Sequence, residues 1–381
     1  MFYFPDPLKL KTKRIVFEKV YIVTDAATLG QLKELSSTRR EIEESIMDGS
    51  IITKAVAGER SGGLSSQLQQ DIQKLEKYLL LLENLIHHSK STSSFWQLQC
   101  ASYLKIRWTS ALCASSLFGC KSQKFFKLNT LLYELTMMRF LYGAMLREQA
   151  NEVMSKDLVQ SATLFRKAAG VYHSLATKVI SEYDRLSPSD RPPEATSNVC
   201  SVMSLVCLAD AQAVTIRKAE EKGNTTSLMA KLHYGIVQML DEAMIYLHKA
   251  NKDRKDISTV FQDFVSTCRV LHELKSYKHF ANSLKADSDS QIGSALGLLQ
   301  HAQNTIQKSK MPSKMAWRSV LKQELETLSG LIHKYEHENN FVWNKKIPPK
   351  HELPFPEGKK IVDLIPYQPQ RSEQAINLKL Q

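Results

Sequence analysis

The chain has 381 residues, of which 14 are glycine and 12 are proline, about 7% together against roughly 12% in an average protein. An all-β sandwich or barrel needs turn residues about every 8–12 positions, yet no proline lies between residues 8 and 187 or between 194 and 311. All-β, collagen-like and Pro/Gly-rich disordered classes are therefore excluded. The 51 basic and 39 acidic residues give a formal net charge of +12, which favours acidic partners such as anionic lipid, nucleic acid or acidic protein segments.

The cysteines and the N-terminal residues indicate a reduced, cytoplasmic protein. Six cysteines occur, none in a Cys-x-x-Cys pair, and no basic and apolar signal sequence opens the chain. No apolar run approaches the 18 residues of a transmembrane helix. Residue 2 is Phe2 rather than glycine, and the last residues contain no cysteine, so we expect no lipid anchor and only peripheral membrane contact.

The first predicted element is a short strand, and helices follow it. Residues 12–24 are rich in β-branched and aromatic side chains, which predicts a small β element. Apolar spacing of three or four residues then predicts a series of helices. The predicted helices span 29–47, 64–88, 95–112, 122–154, 156–186, 194–221, 225–250, 256–286, 287–308 and 312 to about 340. The segment 122–154 is apolar on most sides, which indicates the centre of a bundle.

The second half of the chain has the pattern of stacked helical hairpins. From about residue 122 to 308 long helices are joined by tight turns, without a self-similar repeat, which predicts an irregular α-solenoid. We expect 1–381 to form a single domain, with 349–381 as an extended Pro-rich segment packed on its body. Trp343 lies just before this segment, and we interpret it as an anchor that holds the tail, the alternative being a ligand site.

Motifs for catalysis are absent from the sequence. There is no Gly-rich phosphate loop and no His-Glu-x-x-His zinc motif. His333 and His337 are four apart on a predicted helix and could face one metal, but no nearby side chain completes a ligand set. We therefore predict no catalytic residue, no metal, no cofactor and no enzymatic activity.

The predicted helix 225–250 carries two apolar stripes. Leu228, Leu232 and Ile236 are spaced by four on one side, and a second stripe begins at Met229. One stripe is enough to pack a solenoid helix, and a second can hold a partner helix in a groove. Two interpretations stay open: both stripes are core, or one of them binds a partner.

Six segments share their order and spacing with one known family. They are DPLK at 6–9, IRWTSAL at 106–112, AAGVY at 168–172, ADAQAVTI at 209–216, LQHA at 299–302 and ENNFVWNKKIP at 338–348. From the first to the last, these segments span nearly the whole chain. The chain resembles the Bro-one domain family and, within it, the Brox-type members most closely.

The resemblance implies a fold and a function. The implied fold is all-α: a boomerang-shaped domain with a tetratricopeptide-like solenoid core and a small β element near the N-terminus. The implied function is that of a non-enzymatic adaptor, which docks the C-terminal amphipathic helix of a core ESCRT-III subunit at endosomes, where multivesicular bodies form. Carried over by position, the apolar binding patch comprises Leu228, Leu232, Thr215, Leu175 and Ile306.

Three departures from the family pattern matter. Thr215 stands where Alix-type relatives have an aromatic residue, and Glu134 stands where many relatives have asparagine. The prenylation cysteine of Brox-type members and the further domains of Alix-type members are missing, which implies a stand-alone domain. The alternative function is that of a basic helical protein binding anionic membrane or nucleic acid mainly through charge; for the adaptor, no nucleic-acid partner is expected.

Overall fold

The computed structural model describes residues 2–23, 25–47, 65–90, 104–114, 124–180, 190–369 and 378–379. Helices dominate these residues, and the all-α fold class is confirmed. The helices are α1 (Ala26–Met47), α2 (Ser65–Lys90), α3 (Leu131–Val153), α4 (Leu158–Ser174), α5 (Ser197–Glu221), α6 (Thr226–Asp253), α7 (Thr259–Asp287), α8 (Ile292–Lys308) and α9 (Met315–Glu338).

Short antiparallel strand pairs accompany the helices. Strand β1 (Ile22–Val23) pairs with β4 (Leu378–Lys379), and β2 (Ile106–Thr109) pairs with β3 (Phe125–Leu128). Within the predicted β element 12–24, the described residues form a strand only at β1, with an isolated bridge from Thr12 to Trp108 and a 3₁₀ turn at Phe17–Lys19. The helix predictions over 95–112 and 122–154 are wrong at β2 and β3. Both strands are only four residues long, which is too short for periodicity alone to assign them to helix or strand.

One compact unit consists of Phe4–Cys207, Tyr246–Ser258 and Leu364–Gln381. Its central helix is α3, which is buried on most sides and packs against α2 and α4. Gly143 lets α3 approach α4, because a Cβ at this glycine would lie 2.8 Å from the ring of Tyr172. The apolar pattern of this segment predicts a helix at the centre of a bundle, and α3 is buried as predicted.

A buried polar cluster lies beneath β2 in this unit. Glu134 of α3 is fully buried, and Arg39 Nε donates to its Oε1 over 2.5 Å. Tyr78 Oη donates to the same oxygen over 3.2 Å, and Trp108 Nε1 donates to Oε2 over 2.8 Å. A buried carboxylate with these donors is stable in the interior because its charge is paired and both of its oxygens accept hydrogen bonds.

The other unit consists of Met1–Tyr3, Leu208–Ile245 and Thr259–Asp363. Its helices α7, α8 and α9 pack against one another. The N-terminal residues join it: the ring of Phe2 lies 6.0 Å from that of Trp317, and Trp317 Nε1 donates to the carbonyl oxygen of Tyr3 over 3.3 Å. These contacts join residues more than 300 positions apart along the chain and so connect the N-terminal residues to α9.

Residues 344–363, here called the strap, run along the same unit after α9. They form no helix or strand apart from a 3₁₀ turn at Lys350–Glu352. Helix glycines let the strap backbone approach closely: a Cβ on Gly293 would lie 2.4 Å from the carbonyl oxygen of Lys346, and one on Gly235 would lie 2.3 Å from that of Lys359. Any side chain at these two positions would displace the strap.

Helix α5 has a composition that would also suit a membrane. By length and apolar content it could cross a bilayer, yet 72% of its most apolar stretch is buried inside the protein. Core helices of this length share that composition, because they too are apolar on most sides.

Candidate functional site

The turn between α5 and α6 positions two of the expected site residues. Gly223 has a φ of 69°, a conformation that suits glycine. Its N–H donates to the carbonyl oxygen of Glu220, and the N–H of Asn224 donates to that of Ala219. Thr225 then begins α6, since its Oγ1 accepts from the N–H of Leu228 over 3.3 Å. The turn at Gly223 thus joins two helices into a hairpin.

The sides of α5 and α6 near this turn form the candidate surface, which we call the hairpin face and define as Thr215, Ala219 and Leu228. All three side chains are partly exposed. Gln212 Nε2 donates to the carbonyl oxygen of Leu232 over 2.7 Å, which fixes the level at which the helices meet. Thr215 and Leu228 each lie one turn from that bond toward the hairpin turn, so they stand at matching heights.

The strap borders the hairpin face on the side away from the turn. Gln212 Nε2 also donates to the carbonyl oxygen of Lys359 over 3.0 Å, and its Oε1 accepts from the N–H of Ile361 over 3.0 Å. The N–H of Lys359 donates to the carbonyl oxygen of Lys231 over 2.9 Å. One buried glutamine therefore ties α5, α6 and the strap together, and the strap limits the open surface to the part nearest the turn.

Three of the five expected patch residues are core residues in the structure. Leu232 is 2% exposed, Leu175 is 0% exposed and Ile306 is 1% exposed. The expectation of a surface patch is therefore wrong for these three side chains, because the chain itself covers them. Leu175 follows α4 in the first unit, and Ile306 lies in α8. The residues that remain accessible are Thr215 and Leu228.

The electrostatic character near the hairpin face is basic. Four lysines lie on the same helices and on the strap, together with the exposed carboxylate of Glu220: Lys218, Lys222, Lys231 and Lys359. Glu221 is already paired with Arg217, whose Nε lies 3.6 Å from its carboxylate. An apolar strip with a lysine rim suits a helix that has an apolar face and acidic flanks.

Near Trp343, the expected anchor of the tail, the hydrogen bonds that fix the start of the tail come from Asn339. Trp343 is exposed at the end of the π-helical turn Asn339–Trp343, and the neighbouring Phe341 is 77% exposed. Asn339 does the holding: its Nδ2 donates to the carbonyl oxygen of Lys345, and its Oδ1 accepts from the N–H of Lys345, both over 2.9 Å. The tail is fixed through the backbone, which aromatic composition does not reveal.

Comparison with known proteins places this geometry in a family. A family model described as the BRO1-like domain matches residues 54–380. No curated protein sequence matches the chain. Among solved structures, a crystal structure of ALIX in complex with the SIVmac239 PYKEVTEDL late domain is similar, with a TM-score of 0.70 and 18% identity. That match covers 94% of this chain and 48% of the ALIX chain, so this chain spans about half the length of ALIX.

Two further structures are single domains of similar length. The complex of the ALIX BRO1 domain with CHMP4C has a TM-score of 0.69 and 18% identity, covering 94% of both chains. A Bro1 domain described as a basis for endosomal targeting has a TM-score of 0.61 and 15% identity, covering 94% of this chain and 91% of that one. At such identities the likeness to these structures concerns the fold. Because the family model covers most of the sequence, the chain belongs to the BRO1-like domain family.

Proposed function

We propose that this chain is a non-enzymatic adaptor whose hairpin face docks the C-terminal amphipathic helix of a core ESCRT-III subunit. Family membership supports this, as does the fold shared with the ALIX BRO1 domain that was solved in complex with CHMP4C. The observation that carries the proposal is the partly exposed pair Leu228 and Thr215, which stand at matching heights beside a lysine rim.

The partner side chains would bury against Leu228 and the small Thr215 and Ala219. Burying a leucine contributes roughly 1.5–3 kcal/mol. Thr215 Oγ1 donates to the carbonyl oxygen of Ala211 over 2.9 Å, so its hydroxyl is satisfied within α5 and carries no unpaired donor into the interface. Leu232, Leu175 and Ile306 are buried in the core and would not contact the partner helix directly.

The cellular role follows from the partner. The protein would act from the cytoplasm, be recruited peripherally to endosomes and contribute to endosomal sorting and multivesicular body formation. Within the family we propose a Brox-type member, since Brox-type relatives also carry threonine at the position of Thr215.

A substitution at Leu228 tests the site. We expect Leu228→Asp to weaken binding of an ESCRT-III tail peptide by more than about tenfold, since losing one buried leucine removes roughly 1.5–3 kcal/mol. Titration calorimetry on the purified chain measures the affinity, and circular dichroism checks the fold.

The matched control is Leu331→Asp, which changes a similarly half-buried leucine on α9. It should leave peptide affinity unchanged. Equal affinities of wild type and Leu228→Asp, with a native spectrum, would remove the hairpin face from the proposal. Loss of binding in both variants would show a general effect of added acidic charge instead.

A further inference from the structure

Three consecutive helices of the second unit bring metal-binding side chains together. Glu220 lies at the end of α5, His233 in α6 and His279 in α7. One ligand atom from each lies within 4.8 Å of the other two. Nothing in the proposed docking function uses this cluster.

His233 carries a ring nitrogen that the protein does not satisfy. The side chain is 3% exposed, and its Nδ1 lies 3.0 Å from Nδ1 of His272, so one of these nitrogens donates and the other accepts. Among the described residues Nε2 of His233 has no hydrogen-bond partner. A buried polar atom without a partner is costly, and a bound ion is one way in which such an atom is satisfied.

His279 also has a ring nitrogen without a hydrogen-bond partner among the described residues. Its ring stacks on that of His233 at 5.5 Å between centroids, and its buried Nδ1 has no hydrogen-bond partner within the described part of the chain. Its Nε2 lies 3.8 Å from Oε1 of Glu220, which is beyond hydrogen-bond length. Burial lowers the pKa of His279 to about 4 and that of His233 well below its usual value.

We propose that Glu220, His233 and His279 bind a zinc ion. Two imidazoles and one carboxylate are a ligand set that Zn²⁺ takes at 2.0–2.2 Å, with water in the fourth position. Such bonds hold the ligand atoms roughly 3.4 Å apart, so the separations, which reach up to 4.8 Å, must shorten by up to about 1.4 Å. Glu220 can supply that movement, because its side chain is exposed at the helix end.

The surroundings of His233 match the usual support of a metal ligand. With zinc on Nε2, the proton of His233 resides on Nδ1, which then donates to Nδ1 of His272, as metal-bound histidines donate to a neighbouring acceptor. Lys275 and Lys278 add positive charge nearby, but the carboxylate of Glu324 lies 3.8 Å and 2.8 Å from their Nζ atoms. The basic groups closest to the site are thus neutralised in part.

Zinc titration of the full chain tests the site. We expect one equivalent to bind and to raise the unfolding temperature, because a ligand of the folded state stabilises it. Glu220→Gln and His279→Gln should each lower the affinity by at least about tenfold, since even supporting residues of metal sites cost 10–100-fold. The control is His333→Gln on α9, an exposed histidine that should leave the affinity unchanged.

Several results would overturn the assignment. Unchanged affinity in Glu220→Gln, a surface variant that cannot disturb the core, would refute it even if His279→Gln fails to fold. Loss of binding in His333→Gln would move the site to the exposed pair His333 and His337. Cobalt substitution gives an independent readout: a thiolate charge-transfer band would assign the ion to cysteines, whereas its absence alongside tetrahedral bands supports the proposed ligands.

Discussion

Glu134 explains one departure from the family pattern at the level of a single residue. An asparagine at this position, as the resemblance implies for many members, would need no counter-charge. Here the carboxylate faces Arg39, and both side chains are fully buried. Arg39 is also held from the other side, since its guanidinium donates to Oγ1 of Thr12. Glu134 is thus one half of a buried ion pair, and its partner Arg39 lies 95 residues earlier in the chain.

Neutralising this carboxylate should be costly. We expect Glu134→Gln to lower the free energy of unfolding by about 3–5 kcal/mol, because it leaves the Arg39 guanidinium buried without a counter-charge. Urea unfolding followed by circular dichroism measures the change.

The control for this prediction is an ion pair at the surface. Glu44 lies 3.6 Å from Arg40, and both side chains are exposed. Glu44→Gln should cost less than about 0.5 kcal/mol, since exposed pairs contribute little. If the two substitutions cost the same, the buried pair would not have the stabilising role assigned to it.

At the scale of elements, periodicity predicts helices well and strands poorly in this protein. Helices α2, α5 and α6 begin and end within a few residues of their predicted limits, because their apolar residues repeat at three or four positions. Periodicity does not predict strands β2 and β3, because each is stabilised by pairing with the other and not by contacts within its own segment. Trp108 is fully buried in β2, within a segment for which the sequence predicts a helix.

The same limit applies to the candidate site. Leu228 and Leu232 occupy the same stripe in the sequence, and only tertiary packing makes one partly exposed and the other buried. The strap that borders the hairpin face lies more than 110 residues further along the chain, so no local pattern reveals it. The proposed zinc ligands have no motif spacing for a related reason, since each lies on a different helix.

The strap offers a prediction at the same scale. We expect Gly235→Ala to displace residues 359–361, because the new Cβ would meet the carbonyl oxygen of Lys359 at 2.3 Å and Nε2 of Gln212 at 2.7 Å. The backbone N–H groups of Lys359 and Ile361 would lose their acceptors. Hydrogen exchange at these two amides should therefore become faster in the variant.

Gly330→Ala is the matched control. Gly330 also lies inside a helix, but nothing lies within 4 Å of the Cβ that alanine would add. This variant should be more stable than wild type by roughly 0.5–1 kcal/mol, since alanine is the better helix former. Unchanged exchange at Lys359 and Ile361 in Gly235→Ala would show that the strap is held by other contacts.

For the whole molecule, the net charge of +12 raises the question of what part electrostatics has in binding. If the hairpin face docks an amphipathic helix, charge steers the encounter and apolar burial provides the affinity. If the protein instead binds anionic membrane or nucleic acid through charge, affinity depends on the number of neutralised anions.

Salt separates the two functions. Raising ionic strength from about 0.1 M to 1 M shortens the screening length from ~10 Å to ~3 Å. We expect peptide affinity to fall only modestly over this range, and the effect of Leu228→Asp to persist at high salt. A steep loss of affinity, together with insensitivity to Leu228→Asp, would favour the charge-based function. Fluorescence anisotropy with a labelled peptide and with anionic vesicles measures both.

The strap is synthesised well after the helices that it contacts. Gln212 is made 147 residues before Lys359, whose carbonyl oxygen it binds. At translation rates of about 5–20 residues per second, roughly 7–30 seconds pass between the synthesis of Gln212 and that of Lys359. During that interval Gly235 and the backbone of α6 are uncovered, so the nascent chain presents a wider apolar surface than the finished protein. Chaperones, and premature partners, meet that wider surface until residue 361 has left the ribosome.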